Sequence, residues 1–272
     1  MNYARLLAVT DREFQTVVRT RAYAVLGLGF FVLVVAMAWT SGASGYAPLT
    51  LDLLTPTEVL VPALAFAFGY RSILGDEQRG ELDVLRTYPV TRWGYVLGVY
   101  LGRAAALLLV VLVPLLVAAV FPPLVGGVQS SVIASHAGAD SVFLYLRFVV
   151  LTAVFTLVVL AAALAVSAGA SSTRAALALG VTLLVALIVG LDLGIVAGLA
   201  SGFVGEGALV YTLAFSPNSA FRGLVLETVV SAVTAPGVRA AAPLANVVGL
   251  ITWFVGALLV AIWTVWEDVT GP

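Results

Sequence analysis

Long apolar runs broken by short polar stretches set the first reading of this chain. The runs fall at about 22–40, 57–74, 94–120, 142–168, 174–200 and 245–266. Each is at or above the roughly 17–25 residues a helix needs to cross lipid, where every backbone polar group must bond within its own segment. The pattern predicts an all-α membrane protein with six transmembrane helices in one transmembrane domain spanning 1–272. Two of the polar stretches have helical periodicity of their own. In residues 1–21, Tyr3, Leu6, Leu7, Phe14, Val17 and Val18 fall on one side and Arg5, Arg12 and Arg19 on another. That is the signature of an interfacial helix, or of a flank that supplies topogenic charge. In loop 201–244, Ser216 before Pro217 reads as an N-cap with proline at N1. Phe221, Leu224, Val225 and Thr228 then share a face, predicting an amphipathic helix lying at the outer surface. Thr55-Pro56 reads as the start of the second span, leaving 41–56 as loop.

Charge orients the bundle. All 13 basic residues are arginine. Arg5, Arg12, Arg19 and Arg21 precede the first span; Arg71, Arg79, Arg86, Arg92 and Arg103 surround the junction of the second and third, and Arg174 opens the fifth. Loops 41–56 and 121–141 contain none, and loop 201–244 has Arg222 and Arg239. The positive-inside rule therefore predicts a multi-pass protein of the cell membrane with both termini in the cytoplasm. The 21 residues before the first span are too long and organised for a signal-peptide n-region, so cleavage at SGASG is not expected.

Composition removes most chemistry. At 62% hydrophobic the chain is too apolar for a soluble globule, and a net charge of −1 gives no footprint for nucleic acid. Without cysteine there is no thiolate nucleophile or thiolate metal site, and no metal centre is expected. Without lysine there is no G-x-x-x-x-G-K-[ST] nucleotide loop. The sole histidine, His136, lies in an outer loop, too far from the bundle for a membrane Ser–His protease. No catalytic residue or bound cofactor is expected in the chain itself, so any energy-driven function must import its energy.

One charged island stands out: RSILGDEQRGELDVLRTYPVTR, residues 71–92, holds eight of the 27 charged side chains between two apolar runs. From Gly80 to Tyr88 it has room for two helical turns stopped by Pro89. Leu82 and Leu85 would form an apolar ridge rimmed by Glu81, Asp83 and Arg86, suited to a groove on a soluble partner or to rest on headgroups. The stretch GDEQRGELDVLRTYPVTRWGYVLGVYLGR, residues 75–103, resembles the first cytoplasmic loop of type-2 ABC transporter permeases, particularly the Nos-type permeases of nitrous-oxide reductase maturation. The entry stretch LLAVTDREFQTVVRTRAY and the later SPNSAFRGLV resemble that family too. The resemblance implies a cytoplasmic coupling helix in loop 75–92, between spans two and three, that contacts a separate ATPase. The contact would be made by Glu77, Arg79, Gly80, Glu81, Leu82, Asp83, Leu85, Arg86, Tyr88 and Pro89. It further implies two ATPase subunits, which carry the ATP and Mg, and two permease copies, a homodimer rather than a heterodimer. The chain departs from the family in having no lysine near Val99 and an acidic end, Trp266-Glu267-Asp268.

Within the spans, Asp192 is the costliest residue, at roughly 2.5–3.5 kcal/mol on insertion scales. Counting along antiparallel helices puts Arg147 at similar depth, predicting an intramembrane Arg147–Asp192 pair, structural or substrate-binding. Gly190, Gly194 and Gly198 make one small-residue stripe and Gly98 with Gly102 another, for helix packing or for a dimer seam. Three functions stay open. The first is an ATP-driven export permease; the second is a subunit passing ATPase motion to an outer-side protein; the third is a lipid-embedded scaffold or channel.

Overall fold

The computed structural model describes residues 3–42, 45–83, 91–125, 140–203, 205, 208–230 and 242–265. Among these all the regular secondary structure is helical. The helices are α1 (Tyr3–Arg19), α2 (Arg21–Thr40), α3 (Tyr46–Gly69), α4 (Leu74–Gln78), α5 (Arg92–Ala118), α6 (Phe121–Val125) and α7 (Val142–Gly169). They continue with α8 (Thr173–Ala200, with a π turn at Ala186–Gly190), α9 (Leu209–Thr212), α10 (Pro217–Val225, running into a π turn at Leu226–Val230) and α11 (Pro243–Thr264). Six helices, α2, α3, α5, α7, α8 and α11, are long and apolar enough to cross a membrane. An even number of crossings returns the chain to the side it entered from.

The second span departs from its expected start. Pro56 lies inside α3, which begins at Tyr46. Membrane helices tolerate an interior proline, and here a distant residue supplies the real start signal. Both oxygens of Asp140 accept the first backbone N–H groups of α3, from Tyr46 at 2.7 Å and Ala47 at 3.0 Å. Gly45 makes room for that carboxylate, because a Cβ there would overlap it.

Packing is uneven. α7 is the hub: α3 and α11 lie along it, and Gly69 lets α3 approach until an added Cβ would stand 2.5 Å from Ala163 Cβ. α2 and α8 cover little of themselves within the chain. In the stripe on α8, a Cβ at Gly194 would find open space within 4 Å, and one at Gly190 would meet only its own helix, at Ala186 and Val185. Gly98 and Gly102 on α5 instead seat α1, where added Cβ atoms would lie 2.7 Å from Val9 and Glu13 respectively. The face that α1 buries is Val9, Glu13 and Val17, while Tyr3, Leu7 and Val18 of the expected apolar stripe are exposed.

The expected surface helix at 217–230 is not on the surface. Pro217–Val225 is buried at every residue except Arg222, which is half-buried. Phe221 stacks on Phe155 at 4.6 Å between centroids, thirteen residues into α7 and so about 20 Å from its start. Trp253 donates to the Phe215 carbonyl, and Gly249 packs against Ala214. Near the start of α7, Arg147 donates to the Thr228 carbonyl at 3.1 Å. Residues 209–230 therefore form a re-entrant hairpin whose tip at Phe215–Pro217 reaches deeper than its arms. An amphipathic helix can bury both faces when the bundle offers aromatic rings to one and carboxylates to the other.

Candidate functional site

The charged island is built into the bundle at its base. After α3 the chain turns, Ser72 Oγ donating to the Gly69 carbonyl at 2.7 Å. The backbone N–H groups of Ile73 and Leu74 donate to Ser167 Oγ near the end of α7, at 3.0 and 3.2 Å. α4 then ends at Gln78, and the chain turns at Gly80, whose φ of +70° favours glycine. Thr173 at the start of α8 donates to Gln78 Oε1.

Asp76 is the centre of the ion network, with a side chain only 3% exposed. Its carboxylate accepts from Arg12 Nη2 at 2.5 Å, Arg79 Nη2 at 2.5 Å and Tyr95 Oη at 2.7 Å. Arg12 also donates to Glu13 at 2.9 Å and Glu81 at 2.8 Å, and Arg79 Nε to Glu81 at 2.6 Å. Buried Glu13 takes a further bond from Arg103 Nε at 2.9 Å, and Arg103 Nη1 donates to the Phe68 carbonyl. Thus α1, α3, α4 and α5 are joined by charge-assisted bonds that converge on two buried carboxylates, Asp76 and Glu13. Burial works against the Arg12 cation, but Asp76 and Glu13 outweigh it and hold its pKa above the ordinary arginine value. The hydrogen bond to Glu81 does the same for Arg79.

Of the expected contact residues, Glu77, Arg79 and Asp83 are exposed, and Gly80 and Glu81 are partly so. Leu82 is a correction. It is 4% exposed and packs into the chain's own core, because the Asp76–Glu81 network draws this end of the island inward. It contributes no outward ridge. Leu85, Arg86, Tyr88 and Pro89 lie outside the described residues, as does His136.

The expected Arg147–Asp192 pair is not made. Asp192 faces Arg222 at 3.6 Å and accepts from Ser219 Oγ at 2.8 Å. Arg222 in turn grips Glu58 with two parallel bonds of 2.8 and 2.5 Å. Depth counting failed because it assigned α10 to the surface and left Arg147 as the only arginine within reach. Glu58 was overlooked because a span beginning at 57 makes it a boundary residue. With α3 starting at Tyr46, Glu58 lies about 18 Å along the helix, and its side chain is 4% exposed. Glu13 was legible in principle, as an acid in step with Val9 and Val17 at i, i+4 spacing.

A family described as ABC-2 family transporter protein matches residues 7–266. The probable ABC transporter permease protein NosY of Stutzerimonas stutzeri is 32% identical over 112 residues, 39% of this chain and 41% of that protein. The protein of the same description from Pseudomonas aeruginosa (strain PAO1) has the same identity over the same shares. The match thus spans about two-fifths of the length of these curated relatives. With the family covering almost the whole chain and six helices able to cross a membrane, this multi-pass protein belongs to the ABC-2 transporter family.

Proposed function

We propose that the chain is the permease subunit of an ATP-driven exporter. Two copies form the membrane unit, and a separate ATPase carrying ATP and Mg grips each copy at loop 75–92 on the cytoplasmic face. ATP-driven closure of the ATPases would rock the bundles between inward- and outward-open states. One observation carries this reading: the loop is bolted at its base to α1, α5, α7 and α8 through Arg12, Tyr95, Ser167 and Thr173. A push on a braced element moves the helices it is bonded to, whereas a push on a loose loop is dissipated. Leu82 acts as an inner anchor, and the exposed Glu77 and Asp83 are the described residues best placed to meet the ATPase. The apolar, little-covered faces of α2 and α8 suit a second copy.

The test is whether an ABC ATPase subunit co-purifies with this chain. Replacing Glu77 and Asp83 together by lysine should abolish co-purification while leaving membrane insertion normal. Unchanged assembly would defeat the reading. Flux into proteoliposomes that lack any outer-side protein then separates export from transmission of ATPase motion to such a protein.

A further inference from the structure

A cavity of about 360 Å³ opens beside the ion network, between α1, the end of α3 and α5. That volume is within the roughly 300–1,000 Å³ of small-molecule sites. Its wall holds three carboxylates, Glu13, Asp76 and Glu81, and four guanidiniums. Arg12, Arg79 and Arg103 are each bonded to those carboxylates. Arg71 is left over: it is exposed and has no side-chain partner among the described residues. Tyr23 lines the same wall and accepts weakly from Arg103 at 3.5 Å, so its own hydroxyl proton remains to be donated. Thr20, also on the wall, is flanked by Arg19 and Arg21, two more exposed guanidiniums with no side-chain partner among the described residues.

The level of the cavity matters as much as its charge. Thr20 separates α1 from the first span, and Arg71 follows the end of the second. Tyr23 and Phe68, one turn further into each span, pack ring to ring at 4.5 Å. The opening therefore lies where two spans leave the hydrocarbon, at headgroup depth on the side of the termini. An anion there meets one uncompensated guanidinium, a phenol donor and a basic rim, while the network behind, three guanidiniums paired with three carboxylates, adds no net charge of its own. Basic pockets between spans at this depth suit phosphorylated headgroups, and guanidinium suits phosphate oxygens.

We infer that this cavity binds a phosphoryl anion, with Arg71 as its principal ligand and Tyr23 as a second donor, the source being an anionic phospholipid headgroup or free phosphate. The site does not depend on the ATPase reading, so the two stand or fall separately. The experiment uses the full-length chain in detergent and titrates dioctanoyl phosphatidylglycerol, dioctanoyl phosphatidylcholine and inorganic phosphate, with bound copies counted by native mass spectrometry. Wild type should prefer phosphatidylglycerol, and Arg71→Gln should weaken that binding about tenfold, as loss of a charged hydrogen bond would. Arg174→Gln removes an equal charge from the same membrane side, outside the cavity wall, and should change nothing. Inorganic phosphate binding as tightly as the phospholipid identifies free phosphate as the source; a requirement for the acyl chains identifies lipid. Equal retention of phosphatidylcholine, or equal effects of the two substitutions, would overturn the proposal. Since Arg71 has no side-chain partner among the described residues, its variant should keep the wild-type melting temperature, which separates lost binding from lost fold.

Discussion

Asp76→Asn tests whether the ion network holds the charged loop that follows α3. The substitution leaves size unchanged but puts an amide N–H₂ where three donors already converge, so at least one donor loses its acceptor. Breaking a fully buried pair costs about 3–5 kcal/mol, while exposed pairs are worth about 0–1 kcal/mol. Here the carboxylate is 3% exposed, but Arg12 and Arg79 are 37% and 59% exposed, so water screens part of the loss. We therefore expect about 2–3 kcal/mol, or a fall in melting temperature of about 5–10 °C for a domain of this size. Arg79→Gln should cost about 0–1 kcal/mol. Tyr95→Phe, which deletes one buried hydrogen bond, should cost about 1 kcal/mol. Thermal unfolding of the purified variants measures all three, and hydrogen exchange should report faster opening of residues 71–83 in Asp76→Asn than in α7. If Asp76→Asn melts no lower than Arg79→Gln, Asp76 is not the centre of the network and the loop is held by other contacts.

Two further predictions address the non-spanning helices. Gly102→Val should dislodge α1, since even a Cβ would stand 2.7 Å from Glu13 Cβ and press on the Thr10 and Phe14 backbone. The chain has no cysteine, so Val17→Cys supplies one clean probe, slow to react with maleimide alone and fast when combined with Gly102→Val. In the other half, Glu58→Gln should cost about 3 kcal/mol and Asp192→Asn about 1 kcal/mol. Glu58 is buried with two short bonds to Arg222, whereas Asp192 is 22% exposed and 3.6 Å away. Melting temperatures in the reverse order would show that Asp192 is the main anchor of the re-entrant helix.

What could be read before the fold was known follows a physical divide. The spans are a property of composition, because lipid imposes one rule on every residue inside it, and so α2, α5, α7, α8 and α11 follow the apolar runs closely. Partnerships are a property of tertiary contact. Asp192 was marked by its insertion cost alone, yet its arginine came from a segment that composition assigns to the surface. The Gly98–Gly102 stripe was visible as small residues, but nothing local says that a helix outside the spans fills it. Asp140 capping α3 across more than ninety residues leaves no trace in either segment taken singly.

Two of the helices that do not cross, α1 and α10, are held by the same device, and lipid explains why. A hydrocarbon chain is as apolar as leucine, so burial alone gives α1 or α10 little reason to prefer protein over membrane. Close approach and charge can supply that preference. α1 sits against Gly98 and Gly102 and pairs Glu13 with Arg103; the re-entrant hairpin packs Ala214 on Gly249 and pairs Arg222 with Glu58. In each case a glycine on a span admits the backbone and an acid–arginine pair fixes the register. The acid is on the docked helix in one case and on the span in the other, so the shared feature is the pairing and not its polarity. Ion pairs seldom add much stability relative to apolar packing, but a mispaired register would strand a buried carboxylate, and that penalty selects one arrangement. The attached helices are thus fixed by polar locks, whereas the outer faces of α2 and α11 rest on apolar contact alone.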